Sequence, residues 1–274
     1  MPELTTTISK YYAVHGRSHL PWRKTRDVYK ILVSEVMLQQ TQVDRVLPKY
    51  AEFLKAFPTV HSLAQASLRD VLTHWSGLGY NRRAKFLHEA AKVVVANHDG
   101  KFPKEVNELQ KLPGVGPYTA RAIAAFAHNE PVVFIETNIR TIFIYSSFLQ
   151  NTRIKKETRI TDAEIMPLVA RALRESKMQP RNFYAALMDY GSFLKKSGVR
   201  VNNKSKHYTK QSKFEGSARQ LRGAILRELL KSPKTIDELQ KLTARTLDEI
   251  KNELSKLQKE KLIEKKGSGF VIKK

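Results

Sequence analysis

The sequence predicts an all-α domain of about ten helices followed by a smaller domain of three helices and a β-hairpin. Three observations carry this. Apolar residues recur at three- and four-residue spacing in 28–38, 43–57, 82–97, 120–128 and 161–173, as helices with one buried face require. Strand-like alternation is almost absent before residue 195. Pro and Gly separate the blocks at Phe57-Pro58, 77–79, Phe102-Pro103, 113–117 and Gln179-Pro180, where they act as helix stops and starts. No repeat of fixed period is present.

Further along the chain, helical patterns cover 218–230, then 235–242 with Thr235 as its cap, then 246–260. Residues 262–272 read as two short strands around a glycine turn. Three helices and a hairpin form the winged-helix arrangement, whose third helix would lie in a DNA groove. A protein-docking module of the same shape is the alternative, because fold does not fix function. Between the two parts, 195–213 holds Lys195, Lys196, Arg200, Lys204, Lys206, Lys210 and Lys213 with no acid, as a solvated linker would. The expected organisation is a helical domain over 1–195, a basic linker over 196–215 and a winged helix over 216–274.

The 274 residues carry 49 Lys+Arg against 26 Asp+Glu, a formal charge of +23, and no cysteine. Without thiolates there is no disulfide framework, cysteine nucleophile or iron–sulfur cluster. No apolar run reaches the ~18 residues of a membrane span, and the N-terminus lacks a secretory pattern. A cytoplasmic protein without membrane contact is expected. Residues 195–274 hold 22 Lys/Arg against 9 Asp/Glu, so the positive charge is densest in the tail. A field of this size attracts polyanions, and nucleic acid is the first partner to consider.

One turn points the same way. In Leu112-Pro113-Gly114-Val115-Gly116-Pro117-Tyr118-Thr119-Ala120 the glycines permit a tight bend whose amides face outward at the next helix start, a phosphate-binding geometry. Alone it is weak, since many such turns only join helices. Together with Ser34-Glu35-Val36-Met37-Leu38-Gln39-Gln40-Thr41-Gln42-Val43, Gly77-Leu78-Gly79-Tyr80 and Ile135-Glu136-Thr137-Asn138-Ile139-Arg140, it resembles the helix-hairpin-helix DNA glycosylases, most closely the MutY-type adenine glycosylases. The resemblance covers about residues 4–195 and includes Leu20-Pro21-Trp22-Arg23 and Phe57-Pro58-Thr59-Val60.

The resemblance implies a role for each matching position. Glu35 would protonate the extruded purine at N7, a task suited to a carboxyl group whose pKa an apolar helix raises. Glu136 would stabilise the oxocarbenium-like sugar; the family has Asp there, one methylene shorter. Asn138 would orient that carboxylate. Tyr118 stands where bifunctional relatives place a Schiff-base lysine, and a phenol forms no imine, so a glycosylase without strand cleavage is implied. Gln40 and Tyr80 would fill the space left by the flipped base, with Leu78 in support. Thr41, Gly114, Val115, Gly116, Tyr118 and Thr119 complete the DNA-binding set, and Trp22 and Arg23 would line the base pocket.

Two departures bear on substrate and cofactor. The family holds an iron–sulfur cluster just after this domain, but Lys195 occupies the position of its first cysteine, so no cofactor or metal is expected. Where the family places a Glu or Gln against the adenine edge, this chain has Ala185. The expected protein is a monomeric, nucleoid-associated glycosylase acting on double-stranded DNA with a mismatched or damaged base, adenine opposite 8-oxoguanine or guanine foremost. Hypoxanthine, uracil or mismatched thymine as the excised base, and a DNA-binding protein without catalysis, are the alternatives.

Overall fold

A computed structural model describes residues 2–149, 159–209 and 213–273. In chain order its helices are α1 (Pro2–His15), α2 (Val28–Leu38), α3 (Val43–Ala56), α4 (Val60–Gln65), α5 (Leu68–Trp75), α6 (Arg82–His98) and α7 (Val106–Leu109). They continue with α8 (Pro117–His128), α9 (Thr137–Phe143), α10 (Asp162–Ser176), α11 (Pro180–Lys196), α12 (Ala218–Lys231), α13 (Ile236–Thr243) and α14 (Leu247–Lys259). Strands β1 (Ile263–Lys266) and β2 (Gly269–Ile272) follow. The chain divides into two compact units. One comprises Met1–Ile31, Lys104–Gln110 and Val115–Lys210; the other comprises Leu32–Pro103, Lys111–Gly114 and Gln211–Lys274.

In the first unit, α11 is the central element, packed by α1, α8, α9 and α10. Its core gathers Ile8, Phe134, Ile142, Phe143, Ile165, Val169, Phe183 and Leu187. Tyr184 stacks on Phe134 with ring centroids 3.8 Å apart, and its hydroxyl donates to the Val132 carbonyl at 2.7 Å, which satisfies a polar group in an apolar setting. Gly191 sets the spacing of α11 and α9. A Cβ there would lie 2.4 Å from the Asn138 carbonyl oxygen, so only glycine permits the approach. A capping box of Thr161 and Glu164 starts α10.

Part of the stretch expected as a solvated linker is folded into this unit. Ile160 donates to the Lys204 carbonyl and accepts from the Lys206 amide, each at 2.8 Å, while Asn202 Oδ1 accepts from the Thr141 hydroxyl at 3.0 Å. Val201 and Ser205 are buried. Val199 and Val201 supply apolar area amid the lysines, which explains why a basic segment packs here. Lys210 lies outside the described residues.

The second unit contains α3 to α6, α12 to α14 and the hairpin. The buried rings of Phe53 in α3 and Trp75 in α5 meet edge to face at 5.9 Å. Toward the C-terminus, Thr235 and Thr246 form capping boxes with Glu238 and Glu249, so α13 and α14 begin where their sequence predicts. β1 and β2 pair antiparallel with Ile263 opposite Ile272, and Gly267 takes φ +60° in the turn. Leu221, Ile225, Leu229, Leu239, Leu254 and Phe270 are buried. Arg69 of α5 donates to the Leu230 carbonyl at the end of α12.

Candidate active site

Glu35 sits in α2 within a run, 31–37, in which every residue is buried, and is itself only 7% exposed. Carboxylates seldom occupy such positions. The same unit holds the loop 77–80. Its Leu78 is buried, so this side chain supports the loop from inside while Tyr80 is half-buried above it. Gln40 and Tyr80 both take left-handed backbone, φ +56° and +49°. For residues bearing a Cβ that conformation costs roughly 1–2 kcal/mol each.

A residue that sequence reasoning missed holds these two segments. Arg83, at the second position of α6, donates through Nη1 to the carbonyls of Val36, Met37 and Gln39 at 2.7, 2.9 and 2.6 Å. Through Nη2 it reaches the Thr41 hydroxyl at 3.1 Å and the carbonyls of Leu78 and Gly79 at 3.2 and 3.1 Å. The final carbonyls of a helix have no partner within it, and one guanidinium supplies them here. Burial lowers the Arg83 pKa to about 10, which leaves it charged at neutral pH. Trp75 Nε1 adds a 3.1 Å bond to the Gly79 carbonyl. No sequence spacing marks Arg83, because one of the two segments it joins, 36–41, lies more than forty residues before it.

At the hairpin turn, Gly114 has φ +74° and a Cβ there would meet Phe86 Cβ at 2.6 Å. A small cleft is lined by Val36, Gln39, Arg83, Phe86 and Gly114. Gly116 caps α8 and Pro117 occupies its first position. Val115 and Thr119 are buried, whereas Gly114 and Gly116 are exposed, so backbone lies open at both glycines of the turn.

In the first unit, Glu136 is the N-cap of α9. Its Oε1 accepts from the amides of Asn138 and Ile139 at 2.8 and 3.1 Å, and its Oε2 accepts from Asn138 Nδ2 at 3.2 Å. Asn138 therefore meets the carboxylate by two contacts, one from its backbone and one from its side chain. Asn138 Oδ1 is buried without a hydrogen-bond partner among the described residues. Burial pushes the Glu136 carboxyl pKa up, against the opposing pull of these donors and of the Lys195 ammonium. Lys195, half-buried on α11, is in turn lowered by burial and raised by Glu136. Tyr118 packs edge-on against Phe134 at 5.6 Å.

Trp22 is buried in the 3₁₀ turn Pro21–Arg23. Arg23 grips Asp189 in a fork, Nη1 to Oδ2 at 2.6 Å and Nη2 to Oδ1 at 2.8 Å, and reaches the Ala185 carbonyl at 3.4 Å. Arg17 adds a 2.6 Å side-chain bond and a 2.8 Å backbone bond to the same carboxylate. Burial alone would raise the Asp189 pKa; Arg23 and Arg17 outweigh it and hold it below the usual range. The geometry thus commits Arg23 to an ion pair on α11. An iron–sulfur cluster needs cysteine thiolates. The sequence has none, and the ammonium of Lys195 cannot stand in for one, so these residues do not fit such a cluster.

Comparison with known proteins gives the chain relatives by sequence and by fold. Residues 33–168 match the profile of the HhH-GPD superfamily base excision DNA repair proteins. The adenine DNA glycosylase of Buchnera aphidicola subsp. Baizongia pistaciae is 37% identical over 190 residues, 69% of this chain and 52% of that protein. That of Mycolicibacterium smegmatis is 40% identical over 179 residues, 65% of this chain and 59% of that protein. The chain therefore spans little more than half the length of these relatives. Among solved structures, a thermostable thymine-DNA glycosylase aligns with TM-score 0.59 at 23% identity, covering 74% of this chain and 94% of that one. A trapped endonuclease III–DNA covalent intermediate aligns with TM-score 0.56 at 16% identity, covering 68% and 82%. These similarities establish the fold.

Proposed function

Since this chain belongs, through residues 33–168, to the HhH-GPD superfamily of base excision DNA repair proteins, we propose that it is a DNA glycosylase hydrolysing the N-glycosidic bond of an everted adenine. The observation that carries the reading is the capped, Asn138-oriented Glu136 with its raised pKa. Active sites concentrate such perturbed carboxyl groups. Glu35 donates a proton to N7 of the purine, which turns the base into a neutral leaving group. Positive charge then develops on the sugar as the C1′–N9 bond breaks, and the ionised Glu136 stabilises it until water adds at C1′, the proton it releases restoring the Glu35 carboxyl. Asn138 keeps the carboxylate aimed, and Lys195 favours its charged form.

The remaining roles follow from this chemistry. Gln40 and Tyr80 occupy the gap left by the base, Thr41 and the 114–119 turn meet the phosphate backbone, and Trp22 packs the base pocket with Arg23 anchored behind it. With Tyr118 in place of a lysine, no imine forms at that position and the strand is left uncut. The preferred pairing is adenine opposite 8-oxoguanine or guanine. The three C-terminal helices and hairpin act as a winged helix on the same duplex, and the enzyme works as a monomer at the nucleoid.

A panel of duplexes, each with one adenine mismatch, hypoxanthine, uracil or mismatched thymine, tests the proposal through alkali-revealed abasic sites. Adenine release is expected from the wild type. Glu35→Gln should abolish it while affinity for an uncleavable duplex stays within a few-fold. Equal release by wild type and Glu35→Gln refutes the mechanism. Release of another base in place of adenine refutes the substrate.

A further inference from the structure

Tyr80 has a partner that the catalytic reading does not use. Arg219 Nη1 donates to the Tyr80 hydroxyl at 2.6 Å, and its guanidinium carbon lies 5.6 Å from the ring centroid. Arg83 approaches the same ring at 5.4 Å. Arg219 is the second residue of α12, and that helix start is fixed. Ser217 accepts from the Gln220 amide, Gly216 donates to Gln220 Oε1 at 2.8 Å, and buried Leu221 and Ile225 anchor the following turns. A cation there opposes the helix dipole, whose positive end is at the N-terminus. Stability of α12 therefore gives no reason for an arginine at this position; the phenol gives one.

We propose that Arg219 is a positioning residue for Tyr80, which makes the C-terminal segment part of the base-eversion apparatus. The proposal rests on Tyr80 entering the duplex, as in the reading above. Arg83 fixes the backbone of the 77–80 loop through its carbonyls. Arg219 fixes the far end of the side chain, so the ring enters the stack in one orientation. Tyr80 has a strained φ of +49°, and a ring held at both ends loses less freedom when it replaces a base.

The test is a double-mutant cycle on the full chain: wild type, Arg219→Ala, Tyr80→Phe and the double variant. Eversion is read by the fluorescence of 2-aminopurine beside the target in an uncleavable duplex, and melting curves confirm that each variant is folded. Tyr80→Phe keeps the ring and removes only the oxygen that Arg219 bonds. Each single change should lower eversion about tenfold, the size of one hydrogen bond to a charged group. The double variant should show no further loss. Arg219→Lys should recover only part of the signal, because an ammonium lacks the guanidinium's fixed fork.

Additive losses overturn the proposal, since Arg219 then acts on DNA independently of Tyr80. So does an unchanged signal in Arg219→Ala, or the absence of any 2-aminopurine response in the wild type. Base release is scored separately on cleavable duplexes. A coupled cycle with no base released would retire the glycosylase reading and leave the Arg219 assignment standing.

Discussion

Replacing Glu136 by aspartate separates the cap it provides to α9 from the sugar stabilisation proposed for it. Asp is as good an N-cap as any residue, so the amides of Asn138 and Ile139, now bonded at 2.8 and 3.1 Å, keep a carboxylate acceptor. Folding stability should stay within about 1 kcal/mol of wild type on that ground. The shorter side chain must, however, draw its carboxylate toward the helix by about 1.5 Å, one carbon–carbon bond. A displacement of ~1 Å at a reacting centre costs about a hundredfold, or about 2.7 kcal/mol of barrier. Single-turnover base release should therefore fall about a hundredfold while the melting temperature and the Kd for an uncleavable duplex hold. A Glu136→Asp protein that matches or exceeds the wild-type rate refutes the reasoning. The extra methylene would then be irrelevant to the working geometry, and the site would retain the aspartate arrangement of the family it resembles.

Other perturbations follow from the same contacts. Glu136→Gln should melt higher than wild type at pH 7. Burial holds the folded-state pKa of Glu136 above its unfolded value, so the stability linked to its protonated form is present at low pH and lost as pH rises through the folded pKa. The advantage of Gln should shrink below the ordinary glutamate pKa of about 4.3, as melts at several pH values would reveal. Asp189→Asn reverses the sign: with its pKa held down, Asp189 contributes stability above its unfolded pKa and loses it as pH falls through the folded one. At neutral pH the change strands Arg23, whose side chain is 11% exposed, and should cost about 3 kcal/mol, roughly 6–12 °C of melting temperature. Arg83→Met removes the donors serving Val36, Met37, Gln39, Leu78 and Gly79, and urea unfolding should report a loss of about 3 kcal/mol. Arg83→Lys should restore less than half of it.

Much of the fold was legible because its helices announce their ends. Thr235 and Thr246 stand three residues before glutamates, and Pro117 and Gly116 mark the start of α8, so those boundaries fall within a few residues of expectation. Helix α5 carries buried Leu68, Val71, Leu72 and Trp75 at helical spacing, yet its eight residues are too few for a periodic pattern to stand out. Helix α1 fully buries only Thr5 and Ile8, and its stripe of Leu4, Ile8 and Tyr12 has one residue per turn, too thin to stand out. At the site, the sequence supplies Glu35, Glu136 and Asn138 as residue types in a motif. Proximity is another matter. The pairing of Lys195 with Glu136, the fork from Arg23 to Asp189 and the Arg219–Tyr80 bond each join distant parts of the chain, where no local pattern operates.

Left-handed residues show how the structure separates folding constraints from functional ones. Asp99, Asn129, Lys177 and Ala244 have positive φ because they end α6, α8, α10 and α13, where that conformation lets an amide turn back to the last carbonyls or lets the chain leave the helix. Gln40 and Lys261 also lie just beyond helix ends, after α2 and α14. Tyr80 alone among the described non-glycine residues with positive φ does not lie within two residues of a preceding helix end, and no C-cap accounts for it. A glycine would carry that φ without strain, and Gly77 and Gly79 beside it do so at +93° and +71°. An aromatic ring is present there instead, with Arg83 bonding the loop beneath it and Arg219 its hydroxyl. Strain retained where glycine would relieve it, away from any helix end and braced by two arginines from different segments, fits the wedge role proposed for the ring rather than a need of the fold.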